Sequence, residues 1–407
     1  KESKELLAYI QKQINKLPIS DSQKAKMLDK LLSLEKMTLE ARAPRIALIG
    51  RRGSGKSSLI NALFGSEKQY VSHVQAGTGK GKWLWYPSDD EKKIRLLDSR
   101  GLGESEQPTE EVAAETPLEE LTKAITEEQP DVFLFLVKAK EADARIAEDL
   151  AELNKLRKIV QTKHNYDVPV ICVITQVDEL DPPHYKQLPL DGNPRKAKNI
   201  AAVTDLMTKR FSESNIPLLK VIPVCAYMDF DEDGSILYDM RWNIDRLASY
   251  LVESLPNETK IKTAKELQVR SVKKKVAYSI VHIVAGIAGL IGAEPLPLAD
   301  LPFLTALQGL MIIMIGFIAN KKLNSKTATE FITALGINIG LAFAAREGVR
   351  AIVKVIPGFG NAISGVVASG TTYAIGVAAI AYFIDEKDME QAKRSYQQEM
   401  KKYNEKK

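Results

Sequence analysis

A glycine-rich stretch between an apolar run and a helix-forming segment constrains the fold of this 407-residue chain more than any other feature. The apolar residues 46–49 lead into GRRGSGKSS at residues 50–58, and LINALF follows. Glycine allows positive φ angles and lets backbone N–H groups approach an anion closely. A helix that begins at Lys56 adds the positive end of its dipole. The pattern therefore predicts a strand, a phosphate-binding loop and a helix.

The side chains and the backbone of this loop have separate predicted roles. Lys56 can reach the β- and γ-phosphates of a nucleotide, and the Ser57 hydroxyl can bind Mg²⁺. The alternative is a chance match in an ordinary β-turn-α connection, and the strand before and helix after the loop argue against it. We expect the backbone of the remaining loop positions to surround the phosphates: Gly50, Gly53, Ser54, Gly55 and Ser58.

The composition indicates a folded protein of two to three domains. The hydrophobic fraction of 45% is that of a folded protein. The net charge is only +5, so we expect no nucleic-acid partner that depends on a strong basic field. Cys172 and Cys225 lie in apolar runs, which is typical of buried thiols in the reducing cytoplasm. The charged start of the chain predicts no secretory signal.

Strands alternate with helices between Pro44 and Leu255, which predicts a mostly parallel sheet with helices on both faces. Residues 2–42 predict two amphipathic helices separated near Leu17-Pro18, with Asp21 or Ser22 as the cap of the second. The strand candidates are residues 45–50, 82–86, 92–98, 131–138, 168–175 and 219–224. The helix candidates are residues 56–64, 110–128, 143–163, 195–213 and 241–255.

Two segments after the phosphate-binding loop are candidates for sensing the γ-phosphate. Asp98 ends a strand and Gly101 follows three residues later, so the carboxylate can hold Mg²⁺ through water while the Gly101 N–H meets the γ-phosphate. Thr78 lies in AGTG at residues 76–79 and can contact Mg²⁺ and the γ-phosphate. The alternative for Thr78 is a flexible glycine-rich connection.

Two strand ends are candidates for recognising a base. Thr175-Gln176-Val177-Asp178 closes an apolar strand, and the Asp178 carboxylate can accept hydrogen bonds from the ring N–H and the amino group of guanine. Cys225-Ala226 follows another strand and could bring a backbone N–H to the guanine carbonyl oxygen. The alternative for each is an ordinary polar end of a strand.

These motifs, in this order, resemble an Era-type GTPase domain of the translation-factor class, and residues 50–65 are similar to the prokaryotic Era-like branch. The resemblance implies that the ligands are GTP or GDP with Mg²⁺. The family pattern has lysine at the position of Gln176, which implies weaker stacking on the base. Leu102 stands where Ras-like enzymes have a water-orienting glutamine, which implies slow hydrolysis that accelerates on dimerisation or with a partner.

Arg51 and Arg52 lie inside the phosphate-binding loop, where related large GTPases place residues that engage the nucleotide on dimerisation. Our hypothesis is that one of them, with Arg52 preferred, supplies positive charge to the transition state when two GTPase domains meet. The alternative is that this arginine is an ordinary solvated surface residue with no role in hydrolysis.

The C-terminal third has a different composition, with only ten charged residues among the 109 from Val276 to Ile384. Ala362–Ile384 is an uncharged run of 23 residues, which is long enough to cross a bilayer. The alternative is a buried helical core, which His282, Gln308 and Asn338 favour because they interrupt the runs. The apolar runs are residues 276–293, 301–319, 331–345 and 362–384. Lysines flank them as anchors to anionic lipid would: Lys273, Lys274, Lys275, Lys321, Lys322 and Lys326.

AEPLPLADLP at residues 293–302 and IPGFGN at residues 356–361 resemble the helical domain of YcjF-type proteins. A helical region divided between the two ends of a GTPase domain is also similar to immunity-related GTPases and bacterial dynamin-like proteins. We therefore predict three segments: N-terminal helices at 1–43, a GTPase domain at 44–257 and a helical domain at 258–407.

The sequence as a whole predicts a bacterial, dynamin-like GTPase at the cytoplasmic face of a membrane. Its expected partners are guanine nucleotide, anionic lipid and further copies of the chain that pair through the GTPase domain. One alternative is an Era-like GTPase that acts on ribosomes or RNA, although no GxxG-bearing RNA-binding domain follows. Another is a scaffold that binds GTP and barely hydrolyses it.

Overall fold

The computed structural model describes residues 2–65, 82–86, 94–98, 117–143, 145–186, 188, 194–267, 269–290, 301–337 and 365–405. The chain divides into two compact units. The α/β unit contains Ala43–Pro256 and Glu266–Val269, and the helical unit contains Lys1–Arg42, Asn257–Lys265 and Arg270–Lys407.

The strands are β1 Arg45–Gly50, β2 Lys82–Tyr86, β3 Ile94–Asp98, β4 Val132–Lys138, β5 Val170–Thr175, β6 Lys220–Pro223, β7 Met228–Phe230 and β8 Ile236–Asp239. The helices are α1 Glu2–Lys16, α2 Asp21–Thr38, α3 Lys56–Phe64, α4 Pro117–Glu127, α5 Ile146–His164, α6 Pro194–Glu213, α7 Ile244–Ser254, α8 Asn257–Glu266, α9 Arg270–Gly289, α10 Leu301–Ile318, α11 Ser325–Ala334, α12 Gly365–Phe383 and α13 Met389–Glu405.

A six-stranded sheet forms the centre of the α/β unit, in the order β2-β3-β1-β4-β5-β6. Only the pairing of β2 with β3 is antiparallel among these strands. The strands β4 and β5 are almost entirely buried, as expected for a parallel sheet covered on both faces. This arrangement confirms the predicted fold class.

Helices α4, α5 and α6 cover one face of the sheet through a continuous apolar core. In that core Phe135 of β4 meets Phe211 of α6 edge to face, with ring centroids 5.7 Å apart. Helix α7 contacts β5, β6 and α3. The register pairs Leu48 with Asp98, Gly50 with Leu136, and Lys138 with Thr175. The carboxyl ends of the four strands β1, β3, β4 and β5 therefore meet at one edge of the sheet.

All six predicted strands are present, with ends shifted by up to two residues. The helix predicted at 110–128 is described at Pro117–Glu127, and residues 110–116 lie outside the described residues. The hairpin of β7 and β8 was not predicted from the sequence, and the β8 side chains are all exposed. Without a buried face these strands give no clear alternation, but Gly234 at φ +80° marks their turn.

The N-terminal helices of the helical unit match the prediction except at one cap. Ser20 caps α2, whereas Asp21 or Ser22 was predicted. The Ser20 hydroxyl accepts from the Gln23 N–H at 3.3 Å, and the Gln23 side-chain oxygen accepts from the Ser20 N–H at 3.1 Å. This reciprocal capping box satisfies two backbone donors at once, which explains why the helix begins one residue after Ser20.

The apolar runs form packed helices, but their ends differ from the predicted ones. Helix α9 begins at Arg270 and so includes the lysines at 273–275. Helix α11 begins at Ser325, because Asn324 and Thr327 form a capping box, and ends at Ala334. Residues 338–345 of that predicted run lie outside the described residues. Among the residues that the structure describes, no helix has both the length and the apolar character required to cross a membrane.

Close helix packing in this unit depends on glycine at two positions of α12. A Cβ atom at Gly376 would lie 2.5 Å from a methyl carbon of Val281, and one at Gly370 would lie 2.7 Å from the ring of Tyr403. The Gln308 amide of α10 donates to the Thr372 hydroxyl at 3.0 Å, with Thr372 fully buried. These contacts show that α12 contributes to a helical core, which was the alternative interpretation of the apolar runs.

Candidate functional site

The backbone of the phosphate-binding loop has the conformation that its glycines predict. Gly53 and Gly55 have φ angles of +73° and +85°. A Cβ atom at Gly50 would lie 2.6 Å from the Leu136 carbonyl oxygen, so β1 must end in glycine here. Helix α3 then begins at Lys56 without a side-chain cap from Gly55. The N–H groups of its first turn are therefore suited to an anion.

Lys56 lies across this loop. Its ammonium donates to the carbonyl oxygens of Gly50 and Arg51, each at 3.1 Å. Phosphate oxygens are stronger acceptors than these neutral carbonyls because their hydrogen bonds are charge-assisted. Ser54 is 2% exposed, and its hydroxyl has no hydrogen-bond partner among the described residues. The loop thus combines a positive charge, a turned backbone and an unsatisfied hydroxyl, which fits a polyphosphate.

The strand end at Thr175 is bonded directly to the phosphate-binding loop. The Thr175 hydroxyl donates to the Ser54 carbonyl oxygen at 2.8 Å. The Gln176 side-chain amide donates to the Gly53 carbonyl oxygen at 3.0 Å, from a residue at φ +57°. Two motifs more than 120 residues apart in the sequence are joined in this way. In the structure, Gln176 therefore bonds directly to the phosphate-binding loop.

Asp178 lies next to Cys225 at the same edge of the sheet. Burial, followed by the nearby Asp178 carboxylate, raises the pKa of Cys225 to about 12. The thiol is therefore protonated at neutral pH and can act as a donor. Lys186 also approaches Asp178, with its ammonium 3.7 Å from a carboxylate oxygen. These two neighbours orient the carboxylate predicted to recognise guanine.

The Cys225 N–H group is already used in a backbone hydrogen bond. Cys225 and Trp242 exchange two backbone hydrogen bonds, with the Cys225 N–H donating at 3.2 Å and the Trp242 N–H donating at 2.9 Å. Because the Cys225 N–H is used in this bridge, Ala226 is the remaining candidate of the pair for contacting the guanine carbonyl oxygen.

The two loop arginines have different surroundings. Arg51 forms a two-point ion pair with Asp149 of α5, with both N–O distances 2.8 Å. The hydrogen bond to Asp149 raises the pKa of Arg51, while partial desolvation acts in the opposite direction. Arg52 is exposed at the surface. Nothing in the sequence near residue 149 indicated this pairing, since the two partners are 98 positions apart.

The described part of the chain contains only some of the predicted Mg²⁺ ligands. Ser57 lies in the first turn of α3 and is partly exposed, and the backbone of Asp98 ends β3 beside β1. Thr78, Gly101 and the side chain of Asp98 lie outside the described residues. Among described residues, no group of three or more histidine, cysteine or carboxylate side chains could hold a metal by itself. Mg²⁺ usually takes few protein ligands alongside substrate phosphates, so Ser57 fits such a site.

Comparison with known proteins identifies residues 45–176 as a match to the family described as 50S ribosome-binding GTPase. The GTPase Der of Clostridium novyi is 30% identical over 137 residues, which are 34% of this chain and 28% of that protein. The GTPase Era of Lactobacillus delbrueckii subsp. bulgaricus is 28% identical over 137 residues, 34% of this chain and 40% of that protein. The chain thus spans less than half of the length of these relatives.

Among solved structures, an Aquifex aeolicus Era variant bound to GDP.AlF4- is 22% identical, with a TM-score of 0.33. The similarity covers 61% of this chain and 68% of that one. Residues 45–176, the part of the chain that matches this family, contain the phosphate-binding loop and the strands β1 to β5 of the six-stranded sheet.

Proposed function

We propose that the protein is a GTPase that binds GTP with Mg²⁺ and hydrolyses it to GDP and phosphate. The observation that carries this proposal is the direct bonding of the strand end at Thr175 and Gln176 to the phosphate-binding loop. It brings the loop and Asp178, three residues after Thr175, to one edge of the sheet. A single nucleotide could then contact the loop through its phosphates and Asp178 through its base. The match of residues 45–176 to a GTPase family supports this proposal.

In this proposal the phosphates lie over Gly50, Gly53, Ser54, Gly55 and Ser58, with Lys56 exchanging its carbonyl acceptors for β- and γ-phosphate oxygens. Ser57, Asp98 and Thr78 would hold Mg²⁺, which would neutralise charge that develops on the phosphate oxygens. The Gly101 N–H meets the γ-phosphate, and Asp178 with Ala226 contacts the guanine edge.

The variant Lys56→Ala tests the phosphate site in the full chain. It removes the ammonium that the structure places on the loop, and we expect it to abolish detectable GDP and GTP binding in isothermal titration calorimetry. The matched control is Lys209→Ala on α6, whose side chain is 74% exposed and which should bind as the unmodified protein does. Retained affinity in Lys56→Ala would refute the proposed site.

We further propose that two GTPase domains pair through their nucleotide faces, and that Arg52 then supplies positive charge to the transition state. Its exposed position supports this role, whereas the ion pair of Arg51 with buried Asp149 supports a role for Arg51 in holding the loop. Turnover per molecule should rise with protein concentration, and Arg52→Ala should remove that rise. A concentration-independent rate in the unmodified protein would favour a GTP-binding scaffold instead.

For the helical domain, residues 1–43 and 258–407, we propose peripheral contact with an anionic membrane in the cytoplasm. Support comes from exposed lysines at the ends of its helices, including Lys275, Lys321 and Lys326. The protein should co-sediment with vesicles that contain phosphatidylserine more than with neutral vesicles, and nucleotide should change the bound fraction. Equal binding to both vesicle types, in every nucleotide state, would contradict this part of the proposal.

A second candidate function is action on the ribosome or on RNA. The description of the matched family, 50S ribosome-binding GTPase, favours it. Co-sedimentation with purified 50S subunits in the presence of a non-hydrolysable GTP analogue separates the two candidates, because the membrane proposal predicts no ribosome-bound fraction.

A further inference from the structure

Lys196 is a fully buried lysine in the first turn of α6, at 0% exposure. Lysine is almost never fully buried unless its charge is compensated. The first turn of α6 contains no acidic residue, and the positive end of the helix dipole opposes a cation there. Burial lowers the pKa of Lys196, and the charge of Lys186 lowers it further. A buried ammonium is stable only where its N–H groups donate hydrogen bonds to nearby acceptors.

Four acceptors of this ammonium are backbone carbonyls of the loop that joins β5 to α6. The Lys196 ammonium donates to the carbonyl oxygens of Leu180 at 3.0 Å, Pro182 at 3.3 Å and Tyr185 at 2.6 Å, and also to that of Asp178. Residues 178–185 of this loop therefore curl around the Lys196 ammonium. The backbone bonds inside this loop include two short turns, from the Leu180 N–H to the Val177 carbonyl oxygen and from the Tyr185 N–H to the Pro182 carbonyl oxygen, each at 3.2 Å. The ammonium joins these turns to one another.

One helical turn later, Asn199 donates to the Asp181 carbonyl oxygen at 2.9 Å, but this contact is exposed. A bond in water contributes less than one in the interior, because water competes for both partners. Lys196 is therefore the principal link between α6 and the loop.

The first residue held in this way is Asp178, the candidate for guanine recognition. Its backbone carbonyl accepts from Lys196, and its carboxylate is flanked by Cys225 and Lys186. A carboxylate that accepts two hydrogen bonds from one base edge must be held to a fraction of an ångström. We propose that Lys196 is a positioning residue that determines guanine selectivity, by fixing the backbone of residues 178–185 so that the Asp178 carboxylate meets the base. This inference rests on the proposed nucleotide site.

The phosphate-binding loop is held by other groups, Thr175 and Gln176. Loss of the Lys196 ammonium should therefore weaken recognition of the base and leave recognition of the phosphates intact. The measurable quantity is the ratio of GDP affinity to ADP affinity. ADP shares the phosphates but lacks the guanine edge that Asp178 would contact.

The test is Lys196→Met in the full chain, which keeps most of the side-chain volume and removes the ammonium. Affinities for GDP and ADP are measured by displacement of a fluorescent GDP analogue. We expect the GDP-to-ADP affinity ratio to fall by about 10- to 100-fold, with ADP affinity almost unchanged. The matched control is Lys198→Met, which removes the same charge from an exposed position of the same helix. It should leave the ratio unchanged.

A second variant covers the case in which Lys196→Met does not fold. Lys196→Ala leaves space for a small ammonium ion, so n-propylammonium should restore the affinity ratio in part, and tetramethylammonium, which has no N–H donor, should not. Rescue of folding without rescue of the ratio, or no rescue by n-propylammonium, would overturn the inference.

The unmodified protein separates failure of the inference from failure of the proposed function. If it does not prefer GDP to ADP, the proposed guanine site is wrong and the inference falls with it. If it does prefer GDP and a folded Lys196→Met retains that preference, only the role of Lys196 is wrong.

Discussion

The hydrogen bond from Thr175 to the phosphate-binding loop gives the sharpest prediction from the structure. The variant is Thr175→Val, which replaces the hydroxyl by a methyl group of similar size. Thr175 is 1% exposed, and its hydroxyl donates to the Ser54 carbonyl oxygen at 2.8 Å. We expect a less stable α/β unit and a looser phosphate-binding loop, because the Ser54 carbonyl loses a buried donor.

The size of the effect follows from the burial of this bond. Leaving a buried acceptor without its donor costs about 1–3 kcal/mol, and the added methyl group offsets about 0.8 kcal/mol of that loss. The expected loss of unfolding free energy is therefore about 0.2–2 kcal/mol. If the same energy is needed to order the loop around phosphate, GDP affinity falls by up to about 30-fold.

The natural fluorescence of the protein makes the assay specific for one unit. All three tryptophans, at positions 83, 85 and 242, belong to the α/β unit. Urea unfolding followed by tryptophan fluorescence gives the stability of that unit, and calorimetry gives the GDP affinity. The control is Thr208→Val on α6, whose exposed hydroxyl bonds only to its own helix among the described contacts. Wild-type stability together with wild-type GDP affinity in Thr175→Val would refute the reasoning.

Two further predictions concern the thiol beside Asp178 and the glycine packing of α12. The pKa of Cys225 is about 12 in the folded protein, whereas the pKa of an unfolded thiol is about 8.5. The protonated Cys225 thiol therefore contributes fully to stability below pH 8.5, and this contribution is lost as the pH rises towards 12. Urea unfolding at pH 7 and at pH 10.5 should show that the unfolding free energy falls as the pH rises, and Cys225→Ala should show a smaller fall. An equal fall in the variant would contradict the raised pKa of Cys225. Gly370→Ala should destabilise the helical unit by about 1–3 kcal/mol, since the new Cβ would lie 2.7 Å from the Tyr403 ring. The measurement is thermal unfolding followed by circular dichroism, with Gly286→Ala as the control because its Cβ would meet only the flexible end of Lys30. Equal melting temperatures of the two variants would contradict the packing argument.

Local sequence patterns predicted the parts of the site that depend on neighbouring residues. The turn at residues 50–55 and helix α3 follow from glycine conformation and helix initiation within one short stretch, so α3 has the predicted bounds. The strands were predictable because a parallel sheet buries continuous apolar runs. The same argument placed Asp98 at the end of one strand and Asp178 shortly after another, at one edge of the sheet.

The contacts that shape the site were not predictable from local pattern, because their partners are distant in sequence. Asp149 pairs with Arg51 across 98 positions, and the Thr175 hydroxyl reaches Ser54 across 121. Lys196 looked like any charged residue at the start of a helix. Its burial depends on how the loop before α6 folds back over it. The use of the Cys225 N–H by Trp242 depends on a β-bridge that no local pattern indicated.

The most direct test of the account is a crystal structure of the full chain with Mg²⁺ and a non-hydrolysable GTP analogue. We expect the triphosphate over residues 50–58, with the Lys56 ammonium within hydrogen-bond distance of its β- and γ-oxygens. We also expect the guanine ring N–H and amino group to donate to the Asp178 carboxylate. A nucleotide bound elsewhere, or a base whose edge does not meet Asp178, would contradict the central claim that one guanine nucleotide joins these two loops.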